Sequence, residues 1–257
     1  MKFMTAIRDD EYSRQLEQKV RSRLEADGNE YDTEHPEYIL CIGGDGTILR
    51  AIHEFSDHLD EAAFVGIHTG TLGFLTDYTV QELDELLAVM QTTEPAIEKS
   101  VMLEITLPKS NENLYVFNEV RIESLNRTLR ASIYIDDEFF EDVQGSGVCI
   151  CTQQGSTAIN RSLNGAVIDP GLKVMELSEI IPISHRNHHS LGNPYILNMD
   201  RVITIRGESL LKAYIGYDHL ERKLYPNDTV IVRAAKKEVR FARFRKYSFL
   251  DRLRNLY

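Results

Sequence analysis

The residues Gly43-Gly44-Asp45-Gly46-Thr47 constrain this chain more than any others, because they separate two runs with different periods. Before them, Tyr38 to Ile42 is a short apolar run; after them, Ile48, Leu49, Ile52 and Phe55 recur at helical intervals. The order is strand, tight turn, helix. The glycines Gly43, Gly44 and Gly46 let a ligand approach the backbone and aim the first amides of the helix at an anion. A carboxylate there is electrostatically costly unless it meets a metal ion or a hydroxyl proton. Asp45 is therefore a candidate general base or Mg²⁺ contact, acting on a hydroxyl rather than holding the turn. The plainer alternative is a turn in which glycine supplies positive φ and Asp45 caps the helix. No G-x-x-x-x-G-K-[ST] occurs, and no G-x-G-x-x-G follows the first strand, so phosphate would be held mainly by backbone.

The first third continues in the same alternation. Lys2 to Ile7 reads as a strand, and Glu11 to Ala26 as a helix with Leu16, Val20 and Leu24 on one face. Ala63 to Ile67 is a strand, His68 to Asp77 a glycine-rich loop, and Val80 to Met90 a helix burying Leu83, Leu86, Leu87 and Met90. Such alternation implies a parallel sheet flanked by helices, whose ligand loops leave from the carboxyl edge. The two glycine loops could then face one another; otherwise the second is an ordinary connection. After Glu94-Pro95 short alternating runs take over: Met102 to Leu107, Leu114 to Ile122, Ala131 to Ile135, Val148 to Cys151, Arg201 to Ile205, Leu211 to Ile215 and Thr229 to Arg233. A helix from about Ser156 to Leu163 interrupts them, and its N-terminus is a second place to meet an anion. The expected division is 1–96 as an α/β domain, 97–240 as a β-rich domain and 241–257 as a segment returning to the first.

Forty acidic against 29 basic residues give a net charge of −11, which disfavours a nucleic acid partner. The dense basic stretch from Arg233 to Lys246 alternates with Val239, Phe241 and Phe244, and reads first as a strand with one solvated face and second as an anion site. No uninterrupted apolar run approaches the ~20 residues of a membrane span, and the opening residues do not form a signal-peptide core. The expectation is a soluble protein without a membrane partner. Cys41, Cys149 and Cys151 sit in apolar runs and read as reduced core residues. His185, His188 and His189 lack a carboxylate at ligand spacing and suit a surface turn better than a metal site.

With the turn in place, the chain resembles the NAD kinases over nearly its whole length. The matching stretches are Gly43-Gly44-Asp45-Gly46-Thr47, Gly66-Ile67-His68-Thr69-Gly70 with Leu72-Gly73-Phe74, Asn118-Glu119, Gly155-Ser156-Thr157-Ala158, Asp218-His219 and Arg240-Phe241-Ala242-Arg243-Phe244-Arg245. The resemblance implies an α/β N-terminal domain, an all-β C-terminal domain, and a cytoplasmic enzyme working as a homodimer or homotetramer. Its implied reaction carries phosphate from ATP or polyphosphate, with Mg²⁺ or another divalent cation on the donor, to the 2′-hydroxyl of the adenosine ribose of NAD. It makes Asp45 the catalytic base, Asn118 and Glu119 the holders of the nucleoside, Thr157 and Ala158 the helix start that receives the dinucleotide, and Asp218 with His219 the pair closing the nicotinamide side. It adds Gly44, Gly46, Phe74, Gln144, Ser146, Ile159 and Ser162 to the substrate-binding set. An amide beside a carboxylate suits nucleoside recognition, since the pair accepts from ribose hydroxyls and donates to a base edge.

Three departures lie in one segment. The family's Gly-Asp-Gly is Gly145-Ser146-Gly147 here, its Thr-Pro-Ser is Thr152-Gln153-Gln154, and its Tyr after Thr-Ala is Ile159. One removes a charge expected to reach a neighbouring subunit's ligand; another removes an aromatic face expected against a base. Two other readings therefore stay open. One is a catalytically weakened NAD(P)-binding regulator, and the other is a kinase of a different small alcohol.

Overall fold

The structure, a computed structural model, describes residues 1–70, 73–184, 188, 190–208, 210, 213–225 and 228–254. They form two compact units, 1–100 with 237–257, and 101–236.

In the first unit β1 (Lys2–Ile7) leads to α1 (Glu11–Ala26), β2 (Glu30–Tyr31), β3 (Tyr38–Gly43), α2 (Asp45–Glu54), β4 (Ala63–His68), β5 (Tyr78–Thr79) and α3 (Leu83–Thr92). Asp10 starts α1 by accepting the Ser13 N–H at 2.8 Å, and a capping box between Thr79 and Glu82 starts the turn into α3. The strands are parallel, in the order β4-β3-β1-β2. Leu16, Val20 and Leu24 of α1 and Leu83, Leu86, Leu87 and Met90 of α3 pack on Phe3, Leu40, Ile42 and Ile67 of the sheet. The expected alternation and its apolar faces are present.

The second unit is β-rich. Its elements are β6 (Ala96–Leu107), which begins in the first unit, β7 (Glu112–Val116), β8 (Glu119–Glu123), β9 (Leu129–Ile135), β10 (Glu138–Gly145), β11 (Gly147–Cys151), α4 (Ile159–Ser162), β12 (Val174–Ile180), β13 (Tyr195–Asn198), β14 (Ile203–Arg206), β15 (Tyr214–Tyr217), β16 (Leu220–Lys223) and β17 (Thr229–Arg243). One antiparallel sheet runs β13-β12-β11-β8-β15-β16; the other runs β10-β9-β14-β17, with β6 joined to β17 and to β7. Their inner faces share a core that includes Leu103, Val120, Ile133, Ile150, Met175, Ile203 and Val232.

Some expectations are corrected. The run Leu114 to Ile122 is two strands, β7 and β8, parted at Phe117-Asn118. The helix from Ser156 to Leu163 is a 3-10 turn, Gln154–Thr157, followed by the single turn of α4, because Ala158 (φ −89°, ψ −132°) leaves helical geometry between them. Leu211 and Lys212 lie outside the described residues, as do His185 and His189; His188 is buried. The last strand extends to Arg243, past the expected Arg233, and its end pairs with β4 through Phe241 and Phe64 in the first unit. The basic stretch is not one solvated face. Arg243 is buried and paired with Asp77 and Glu98, and Arg245 pairs with Glu82. Asp77, Glu98 and Glu82 take up the charge of these two arginines. Among the described residues no helix is long and apolar enough to cross a membrane.

Candidate functional site

Parallel pairing of β3 with β4, in register from Tyr38 and Ala63 to Gly43 and His68, makes the loops that follow them leave the same sheet edge. Gly44 takes the N-cap position of α2 with extended backbone and no side-chain cap bond. Asp45 opens the helix, and its carboxylate is not a cap. It reaches the second glycine loop, where Oδ2 accepts the Phe74 N–H at 2.7 Å and Oδ1 the Leu75 N–H at 3.0 Å. The two loops face one another through this residue. Gly73 is there for room, since a Cβ on it would lie 2.3 Å from Asp45 Oδ1. Asp45 thus holds the loop, and two donors leave its carboxylate able to accept further hydrogen bonds.

Two further groups define the surroundings of Asp45. Gly46 is exposed, with open space where a side chain would stand, and Phe74 is half-buried with its ring against Phe249, centroids 5.8 Å apart. His68 was not among the expected binding residues. Its Nδ1 accepts the Gly70 N–H at 2.8 Å, which leaves the neutral ring carrying its proton on Nε2, and a Cβ on Gly44 would lie 3.2 Å from that atom. Burial pulls the His68 pKa below its usual 6.5; Asp45 opposes this, and Arg8 and Arg252 add to it.

In the second unit, Asp218 plays the organising part. Held at φ +52°, it directs its buried carboxylate at successive backbone donors, Phe117 at 2.8 Å, Asn118 at 2.7 Å and Glu119 at 3.3 Å. Its own N–H donates to the Glu119 carbonyl at 3.1 Å. Thr152 closes the other side of the turn, its Oγ1 donating to the Phe117 carbonyl at 2.6 Å and its N–H to the Asn118 carbonyl at 2.8 Å. Gly155 lies so close that a Cβ there would sit 2.1 Å from the Asn118 oxygen. The turn that parts β7 from β8 is therefore braced from both sides, and it presents Asn118, half-buried, next to Glu119.

Glu119 is 6 % exposed, and its Oε2 has no partner among the described residues. Burial, then the neighbouring Asp218 charge, push its pKa up to about 8 against an opposing pull from Arg121. It holds its proton at neutral pH and so can donate as well as accept.

The other expected residues also fall in this unit. Thr157 closes the 3-10 turn beyond Gly155, its hydroxyl donating to the Gln154 carbonyl at 3.4 Å; Ala158 and Ile159 follow, both half-buried. Ser162 lines a pocket of about 410 Å³ together with Glu179, Ile181, Pro182 and Asn193. Gln144 and Ser146 stand where β10 passes into β11, and their backbones are fixed by Ile183 N–H to the Gln144 carbonyl at 2.7 Å and Ser146 N–H to the Ile180 carbonyl at 2.9 Å. His219 is exposed beside Asp218. Sequence reasoning missed a buried polar network beneath α4. Asn160 donates to Glu176 at 2.8 Å and accepts from Ser178 at 3.0 Å, while Ala166 N–H donates to Glu176 at 2.9 Å. The available signal was Glu176 inside the otherwise apolar Val174 to Leu177.

Family models match both parts of the chain: "ATP-NAD kinase N-terminal domain" over residues 2–94 and "ATP-NAD kinase C-terminal domain" over 110–244. The NAD kinase of Latilactobacillus sakei is 33% identical over 261 residues, covering 100% of this chain and 97% of its own. NAD kinase 1 of Bacillus subtilis is 34% identical over 259 residues, covering 99% and 97%. Among solved structures, yeast NADH kinase complexed with NADH superposes at a TM-score of 0.86 with 18% identity, covering 100% of this chain and 87% of that one. An NAD kinase from Archaeoglobus fulgidus in complex with ATP gives 0.76 with 22% identity, covering 100% and 97%.

Proposed function

The chain belongs to the ATP-NAD kinase family and is an enzyme that phosphorylates NAD to NADP; from that premise we propose how its own residues divide the reaction. The phosphoryl group passes from ATP, with polyphosphate as an alternative donor, to the 2′-hydroxyl of the adenosine ribose. Asp45 accepts that hydroxyl's proton and aims its oxygen at the phosphorus. The observation that carries this reading is the Asp45 carboxylate, fixed by the Phe74 and Leu75 amides at the opening of α2 while keeping lone pairs for a hydroxyl. Phosphoryl transfer has a loose transition state, so a well-placed weak base and neutralised oxygens are what it needs.

Residues 1–96, with 241–257 returning to them, supply this chemistry, and residues 97–240 hold the dinucleotide. Asn118 and Glu119 read the nucleoside from the braced turn, Glu119 donating the proton that burial keeps on it. Gly44, Gly46, Phe74, Gln144, Ser146, Thr157, Ala158, Ile159 and Ser162 complete the binding set, and Asp218 with His219 closes the nicotinamide side. Among the described residues no three His, Cys, Asp or Glu side chains gather as a metal site, and the divalent cation, Mg²⁺, is proposed to arrive on the donor phosphates. The enzyme works in the cytoplasm as a homodimer or homotetramer; its free, buried Cys41, Cys149 and Cys151 suit a reducing compartment.

A coupled assay of NADP formation with NAD, Mg²⁺ and either ATP or polyphosphate tests the reading, alongside thermal shifts with NAD and NADP. Turnover is expected, with Asp45→Asn inactive. A thermal shift with no turnover would replace this reading with a NAD(P)-binding regulator, and turnover of another alcohol in preference to NAD would replace the acceptor.

A further inference from the structure

At the end of the last strand and just beyond it, Arg243 and Tyr247 reach the loop that holds Asp45. Phe74 and Leu75 are held on both sides, and the peptide group that joins them, Phe74 carbonyl with Leu75 N–H, is held at both ends. Their N–H groups donate to Asp45 at 2.7 and 3.0 Å, while the Phe74 carbonyl accepts the Tyr247 hydroxyl at 2.9 Å and the Leu75 carbonyl accepts Arg243 Nη1 at 3.2 Å. The donors behind the loop are rigid. Arg243 is buried and tied to Asp77 at 3.1 Å and Glu98 at 2.8 Å, and its guanidinium lies 4.4 Å from the Tyr247 ring centroid. Any tilt of the Phe74–Leu75 peptide plane swings the Leu75 N–H on which the carboxylate rests, and hydrogen bonds at both ends of a peptide reinforce each other.

The geometry points to Tyr247, its ring backed by Arg243, as a positioning residue for Asp45, which fixes, through the Phe74–Leu75 peptide group, the direction in which Asp45 presents its remaining lone pairs. The inference rests on the reading of Asp45 as the group that receives the ribose hydroxyl. It gives the C-terminal segment a part in the chemical step rather than in stability alone, since a misplacement of about 1 Å costs up to ~10²-fold in rate.

Tyr247→Phe is the clean test, because it deletes one hydroxyl and keeps the ring beside Arg243. The expected result is a kcat lowered about fivefold, the loss of one hydrogen bond, with the KM values for NAD and ATP within about twofold of wild type. The same substitution placed on Asp45→Asn, at enzyme concentrations that make the residual rate readable, is expected to change nothing further, because a residue acting through Asp45 has no lever once the carboxylate is gone. An unchanged kcat in Tyr247→Phe overturns the inference, as does an equal factor in both backgrounds, which would mark a structural contribution only. Wild-type turnover in Asp45→Asn would instead remove the reading of Asp45, and this inference with it.

Discussion

Asp45 in the α/β unit and Asp218 in the β-rich unit solve the same local problem with different ends. Both carboxylates collect consecutive backbone N–H groups, Phe74 and Leu75 for one, Phe117, Asn118 and Glu119 for the other. Asp45 is half-buried with two donors, so it fixes a loop and keeps further acceptor capacity; Asp218 is buried with three and braces the turn that carries Asn118 and Glu119. A carboxylate held by two amides keeps more acceptor capacity than one held by three.

The largest expected effect breaks the comparison at Asp45. Asp45→Asn should lower NADP formation by ~10²–10⁴, the usual cost of losing a positioned base. It should also lose about 1 kcal/mol of stability, because a carboxamide offers one acceptor oxygen where two amides need one each. Turnover and urea unfolding measure the two parts, and a variant with wild-type rate and reduced stability would make Asp45 a brace like Asp218. Asp218→Asn should show the reverse balance. It leaves buried donors of the 117–119 turn unsatisfied, so a stability loss of roughly 1–3 kcal/mol is expected. A raised half-saturating NAD concentration should accompany it, and unfolding together with NAD titration decides whether the turn is held as described.

Glu119 sharpens the contrast further, because the brace beside it is a negative charge. With its pKa up at about 8 in the fold and near the usual carboxyl value when unfolded, the group keeps a proton in the native state that the unfolded chain releases. Its contribution to stability is full below about pH 4.5 and falls as pH rises toward 8. Glu119→Gln removes that loss. Melting temperature at pH 8 should rise relative to wild type, by roughly 2–4 °C for each kcal/mol recovered, and the two proteins should converge at acid pH. Parallel melting curves across the range would mean that Glu119 is ionised and paired.

The smallest expected effect concerns Ile159, half-buried at the start of α4 rather than in the core. Aromatic contact with a base is worth ~1–3 kcal/mol, part of which an aliphatic recovers, so Ile159→Tyr should tighten NADP binding about fivefold. Calorimetric titration with melting temperatures tests this, and weaker binding by a stably folded variant would show that Ile159 does not face the ligand.

Much of the first unit was legible along the chain. Strand β1 and helix α1 end where hydrophobic period and capping residues place them, and the glycine turn falls between β3 and α2 as read, because these signals lie within a few residues of what they shape. The second unit was read more coarsely. The run Leu114 to Ile122 is apolar enough to be one strand, and the residue that breaks it, Asp218, lies about a hundred positions away. Strands β10, β12 and β16 escaped because charged or polar residues interrupt their alternation, β13 because it is only four residues long, and their edges are set by the neighbours they pair with.

By itself, then, the sequence determined the order of strand, turn and helix around Asp45 and the change to a β-rich second part, both carried by local periodicity and turn chemistry, and the family, carried by motif. The tertiary structure alone decided that Asp45 rests on the Phe74 and Leu75 amides, that Arg243 is buried against Asp77 and Glu98 rather than solvated, and that Glu119 is buried beside Asp218, which pushes its pKa up. Those outcomes depend on which distant backbone donors and charges come within hydrogen-bonding reach and on how much water is removed from each carboxylate, quantities that no stretch of neighbouring residues contains.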